Sequence, residues 1–179
     1  DSVTLSMPIR DIAGAYYELG QMDSALAYYQ KAYAIALETR NRKRELGILV
    51  EMSAVYRDRG NMEKAFELLY PSLRDSVGRN MNPTYYSLGK LYWLMGKNDS
   101  AFYWMSRVQL SDDIYIQSEI YSYLARIEKN RNNIYRSNLY YEFYRQCQDS
   151  IVKIDQSEEI RRMKSLYDYN LRERENQRL

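Results

Sequence analysis

The chain has 179 residues, 45% of them apolar, and its 26 basic and 24 acidic side chains leave a formal charge of +2. That length and apolar content suit one globular domain with a continuous core, and the small net charge excludes bulk electrostatics as a basis for nucleic-acid or membrane-surface binding. With no histidine and a single cysteine, Cys147, the chain lacks the usual neutral-pH general base, the commonest metal ligand and any disulfide framework, so no catalysis, metal or cofactor is expected.

Three prolines and seven glycines are few breakers for this length and predict long helices throughout. No run of about 18 apolar residues occurs, so no membrane span is expected within the chain. The sequence opens without Met or a signal-peptide pattern, and residue 1 is not expected to be the natural start.

In chain order, helices are predicted near residues 7 to 19 and 22 to 38, then 44 to 59 and 62 to 75. A third pair is predicted near 83 to 95 and 98 to 109, and a fourth near 113 to 130 and 133 to 149. Gly20, Gly60, Gly96 and Asn132 separate the members of each pair at intervals of 40, 36 and 36 residues, the size of a helical hairpin. Each must take the left-handed conformation that ends a helix, which glycine adopts without strain and asparagine tolerates next best. Pro83 suits a first helical turn with Asn82 as its cap.

Small residues fix the hairpin geometry. Seven residues before each turn stands Ala13, Ser53, Gly89 or Ala125, and five after it Ala25, Ala65, Ala101 or Ser137. Antiparallel helices approach closely only where the crossing side chains are short. Four before the turn come Tyr16, Tyr56, Tyr92 and the exceptional Glu128; nine after it come Tyr29, Leu69, Met105 and Tyr141, expected to fill the space between hairpins.

This pattern resembles the tetratricopeptide repeat (TPR), best at Ala13 to Ala32 with Tyr16, Gly20, Ala25 and Tyr29, and the resemblance runs over about residues 7 to 150. It implies an all-α fold: a right-handed TPR-like α-α superhelix of four hairpins, plus a long C-terminal helix. Leu37, Val77 and Asp113 stand where a closing proline often falls, and the first interval carries an insertion around Arg40 to Arg44.

Residues 151 to 179 are expected to form a separate capping or connector helix, cut in mid-course. Ile160, Met163, Tyr167 and Leu171 mark one face, and Asp155 with Glu158 offers a capping box. Covering the last hairpin's apolar face is the plainer role for such a helix, and dimerisation or signalling the alternative. The run from Tyr140-Tyr141-Glu142 through Ser165-Leu166-Tyr167 to Arg172-Glu173-Arg174-Glu175 looks like the end of bacterial TPR sensor proteins. That resemblance implies an extracytoplasmic sensory region of a membrane-anchored signalling or transcription regulator, with the cytoplasm as the alternative compartment.

The first helices of the repeats are expected to line a concave groove for an extended peptide or partner helix. The register assigns to it Arg10, Tyr17, Arg57, Tyr86, Lys90, Trp93, Ser122, Arg126 and Lys129, with Glu18, Glu51, Asp58 and Glu119 beside it. A basic, aromatic second half favours an acidic segment anchored on Trp93. Against this, bases on an exposed helix face are usually just solvated. The carboxylate clamp of the TPR domains that grip chaperone C-termini is matched only at Arg10, with Gly14, Glu51, Pro83 and Ser87 elsewhere, so that ligand is not expected.

Twenty tyrosines, dense in the fourth repeat, are expected mostly in packing, with a surface recognition patch as the alternative. Asp112-Asp113 reads as a helix cap before a catalytic pair, and Arg40 to Arg44 as a solvated linker before a phosphate contact. Residues 151 to 179, with seven basic and six acidic side chains, make no nucleic-acid tail. The function expected is a non-catalytic protein- or peptide-binding module. A homodimerising scaffold built on the C-terminal helix is the alternative, and an enzyme a distant third.

Overall fold

A computed structural model describes residues 2–75, 80–110 and 113–176, with side chains at 8–75, 80–110, 113–169 and 173. Val77, Asp112, Leu171 and most of the charged run from Arg172 onward therefore lie outside the described side chains. The described residues form eight α-helices and no strand: α1 (Ser2–Glu18), α2 (Met22–Glu38), α3 (Arg42–Asp58), α4 (Met62–Arg74), α5 (Asn82–Leu94), α6 (Asn98–Met105), α7 (Ile114–Asn130) and α8 (Ile134–Asn176). They fall into two compact units, Asp1–Gln109 with three hairpins and Leu110–Leu179 with one.

The hairpin turns share one construction. At Gly20, φ is 72°, its N–H donates to the Tyr17 carbonyl at 2.9 Å, and the Gln21 N–H reaches back to the Tyr16 carbonyl at 2.9 Å. This is the Schellman closure, which satisfies carbonyls that a helix end would otherwise leave bare. Gly60, Gly96 and Asn132 repeat it, with φ of 80°, 72° and 57°. Asn41, Asn61 and Asn133 then cap the helices that follow, accepting from Arg44, Lys64 and Arg136 N–H at 3.2, 3.0 and 3.3 Å.

The linker expected at Arg40 to Arg44 is a further turn of this kind. Arg40 takes φ 50°, the Asn41 N–H closes on the Ala36 carbonyl at 2.9 Å, and Arg42 already opens α3. The extra residues of the first interval are helical: α2 and α3 run 17 residues each, against 13 for α4 and α5. Asn82 does not cap α5. It lies inside the helix after N-cap Met81, and its side-chain amide pairs with the Gln109 backbone at 2.8 and 3.0 Å. Asp113 does cap α7, accepting from Tyr115 and Ile116 N–H at 2.9 and 3.3 Å.

All eight small crossing residues are buried. At Gly89 a side chain is impossible without displacement, since a Cβ would stand 2.9 Å from Met105 Cε and 3.2 Å from the Met105 backbone nitrogen. One core cluster sets Ala13, Ala25, Tyr29 and Ala36 of the first hairpin against Ile48, Met52 and Val55 of α3. A second joins Val50, Ala65 and Leu69 to Leu88 and Leu91 of α5, and Tyr56 packs against both. Between α4 and α5 the buried hydroxyls of Ser72 and Thr84 pair at 2.7 Å, so neither is left unsatisfied.

In the second unit, Ser137 Oγ donates to the Ala125 carbonyl at 2.9 Å and Gln148 Nε2 to Ser118 Oγ at 2.7 Å, joining α8 to α7. Glu128, where the other repeats carry tyrosine, is fully buried; Oε1 accepts from Arg131 at 2.7 Å and Oε2 has no hydrogen-bond partner among the described residues. Tyr141 is 41% exposed and fills no core, and Tyr115 and Tyr135 are likewise exposed.

The separate C-terminal helix is corrected as well. α8 runs unbroken for 43 residues, so Asp155 and Glu158 lie inside it and start nothing. Asp155 instead accepts the Tyr115 hydroxyl at 2.9 Å, beside the start of α7. Past that point Ile160, Met163, Leu166 and Tyr167 are 60 to 67% exposed, so this stretch extends the hairpin without folding back to cap it.

Candidate functional site

Six of the nine expected groove residues stand on the first helices of the first unit: Arg10 and Tyr17 on α1, Arg57 on α3, and Tyr86, Lys90 and Trp93 on α5. Ser122, Arg126 and Lys129 form a separate set on α7 of the second unit, where Ser122 is half-buried and the two bases are exposed.

Within the first unit the face is organised by pairs between neighbouring repeats. Arg10 Nε donates to both carboxylate oxygens of Glu51 at 2.9 Å, and its Nη2 also reaches Oε1. The Tyr17 hydroxyl donates to Asp58, Arg57 Nε donates to Asp58 Oδ1 at 2.7 Å, and Arg57 Nη2 donates to the Tyr17 oxygen at 3.3 Å. Arg57 is only 6% exposed, which a guanidinium tolerates because Asp58 supplies a charged acceptor. Lys90 Nζ lies 5.0 Å above the Tyr86 ring, a cation–π distance, and Trp93 is half-buried one helical turn further on.

These contacts shift the titrating groups. Burial and then the hydrogen bond to Asp58 push the Tyr17 phenol up to about 12. Burial would raise Asp58, but the bonds from Arg57 and Tyr17 outweigh it and hold this carboxyl below its usual range. Burial would lower Arg57, and its bond to Asp58 reverses the direction, leaving the guanidinium firmly charged. Tyr29, on α2, is raised first by burial and then by the Glu51 charge.

Glu51 and Asp58, which the register placed beside the groove, are thus its direct partners. A signal for this was present: Arg10 to Glu51 and Tyr17 to Asp58 are each 41 residues apart, one more than the repeat interval. Arg10 and Arg57 accordingly each carry a carboxylate, which makes this face less positive than the residue types implied. The arrangement offers donors, acceptors and aromatic edges. Among the described residues no cluster of three or more metal-ligating side chains occurs, and no helix is long and apolar enough to cross a membrane.

Residues 4–74 match the family described as tetratricopeptide repeat. No curated protein matches the chain at a significant level. Among solved structures, BtubC (BKLC) from P. vanneervenii is similar with a TM-score of 0.67 at 18% identity, the match covering 84% of this chain and 66% of that one. The chain thus spans just under two thirds of BtubC. The MamA protein follows with a TM-score of 0.57 at 18% identity over 83% of this chain and 75% of its own. A Podosopora anserina protein of nearly identical TPR-like repeats gives 0.55 at 19% identity, over 82% and 76%. At these identities the likeness concerns the fold.

Proposed function

Because this chain is a tetratricopeptide-repeat protein, we propose that it is a non-catalytic module holding an extended segment of another protein against α1, α3 and α5. The observation that carries this reading is the network of Tyr17, Arg57 and Asp58 beside Lys90, Tyr86 and Trp93. A face needed only for solubility would not hold a guanidinium 6% exposed between two polar partners. An acidic stretch of the bound segment would meet Lys90, with Trp93 as its apolar anchor. Peptides selected from a random display library on the intact chain test the idea. Replacing Lys90 and Trp93 with alanine should weaken the selected peptides by about tenfold or more. Undiminished binding at unchanged helicity would move the site elsewhere.

A second reading rests on the exposed apolar residues of α8 past Asp155, which suit a helix-to-helix contact between two copies of the chain. Sedimentation of the full chain beside one ending at Asp155 decides it, since the same monomeric mass for both removes the idea. The resemblance of residues 140 to 175 to bacterial TPR sensor proteins supports placing the module in a membrane-anchored regulator, facing outward. Protease treatment of intact cells should then cut it, and protection until lysis would overturn that placement.

A further inference from the structure

Where neighbouring turns of the first unit meet, a carboxylate three residues after one glycine faces the residue just before the next glycine. Between Gly20 and Gly60 the two are Asp23 and Arg59, and the guanidinium donates to the carboxylate. Between Gly60 and Gly96 they are Glu63 and Met95, so the cation is missing from the sequence itself. In its place Glu63 and Met95 share a cavity of about 720 Å³ with Met62, Phe66, Glu67 and Tyr70 of α4. We propose that this cavity binds an arginine side chain of a partner's peptide segment, whose guanidinium takes the place that Arg59 fills one repeat earlier. The site shares no residue with the face on α1, α3 and α5.

Glu63 is the carboxylate able to receive it. No lining residue is basic, Glu67 already accepts from Lys64 at 2.7 Å, and Glu63 has no partner among the described residues. The two oxygens of one carboxylate match two parallel N–H groups of a guanidinium, a fork that a lysine ammonium lacks. A glutamate on an open helix face is merely solvated. What distinguishes this one is the apolar wall beside it.

That wall is Phe66 with the thioethers of Met62 and Met95. Phe66 packs against Tyr92 with ring centroids 5.6 Å apart at 82°, which holds its ring in place. A guanidinium is weakly hydrated and lies readily against an aromatic ring, while its methylene stem covers apolar surface. Surface of that kind is open here, since Tyr70 is 55% and Met95 42% exposed. Tyr70 already has Arg74 at 6.0 Å from its ring, so its part is contact with the stem and not with the charge. A space of this size also exceeds what a guanidinium head fills, which favours an arginine within a chain, its neighbours occupying the rest.

Methyl NMR of the 179-residue chain, labelled at its methionines, tests this with acetyl-Leu-Arg-Leu-amide as probe. The Met62 and Met95 signals should shift saturably, with a Kd in the low millimolar range. The citrulline analogue, which keeps the shape without the charge, and agmatine, a free guanidinium, should each bind about tenfold more weakly. Glu63→Gln should weaken the probe about fivefold or more. Met95→Arg, which supplies the missing cation within the chain, should abolish the Met62 shift. Both positions are exposed, so neither replacement disturbs the core, and circular dichroism checks that the helices remain. No saturable shift at either methyl up to about 20 mM, citrulline peptide or agmatine held as tightly as the arginine peptide, or probe binding unchanged in Glu63→Gln or in Met95→Arg would each overturn the proposal.

Discussion

At the scale of single residues, backbone conformation and close approach decide more than side-chain chemistry does. Arg40 performs the turn that glycine performs at three other places, and a Cβ at φ 50° carries a local steric cost that glycine avoids. Arg40→Gly should therefore raise stability, by about 0.5–1 kcal/mol after allowing for glycine's freer unfolded state, read as a higher urea midpoint at unchanged slope. The reverse holds at Gly89, where an added methyl would collide with Met105, including its backbone nitrogen, which cannot swing away. Gly89→Ala should lower stability by about 1–3 kcal/mol in the same experiment. The two positions also show what sequence reading can reach. Asn132 is legible as a turn because asparagine shares glycine's tolerance, whereas Arg40 gives no such sign and its basic surroundings read as a linker.

At the scale of elements, the hairpins were legible because two independent periodicities coincide, the turn residues and the small crossing residues seven before and five after them. Ala65, 1% exposed and in the cluster that joins the second hairpin to α5, illustrates the constraint. Ala65→Phe should separate the pair and cost more than about 2 kcal/mol, seen as an early thermal transition. The end of the chain was less legible. Asp155 and Glu158 satisfy the spacing of a capping box, but Glu158 also suits a helix already under way, and no glycine or proline between Ser150 and Gln156 breaks one. Local patterns could not tell a new helix from a continued one. The candidate face was legible in its residue types and partly in its geometry: the register brought six residues to α1, α3 and α5, but charge counted residue by residue missed that Arg10 and Arg57 are paired. Because α8 past Asp155 buries almost nothing within its own unit, its amides should exchange with solvent early, while those of Ile134–Ile151 stay protected. Equal protection along the whole helix would show that another surface covers the outer stretch.

At the scale of the molecule, cohesion is local. Each helix of the first unit packs chiefly on its neighbours in sequence, with first helices of adjacent hairpins also touching, α1 on α3 and α3 on α5, so the hairpins hold together through nearest-neighbour contacts. Any link between hairpins then acts on the whole unit, and the bonds from α1 to α3 at Asp58 and Glu51 are links of that kind. Asp58 sets a pH dependence whose sign follows from its depressed pKa. The folded chain gives up that proton more readily than the unfolded one, so the stabilisation is complete above the ordinary aspartate value near 4 and disappears as pH falls through the lower folded value. Tyr17 acts on the alkaline side: its pKa of about 12 lies above the ordinary tyrosine value, so its contribution persists at neutral pH and is lost as pH rises past about 10 towards the folded value. A double-mutant cycle of Tyr17→Phe and Asp58→Asn, followed by urea unfolding, should give a coupling of about 0.5–1.5 kcal/mol at pH 7. The coupling should shrink as pH falls below about 4 and through the depressed folded value of Asp58, because protonating Asp58 removes the charged acceptor that Arg57 and Tyr17 share. A coupling that persists after Asp58 has taken up its proton, followed by the carboxyl's own NMR titration, would mean that shape, and not the charge on Asp58, joins the first hairpin to the second.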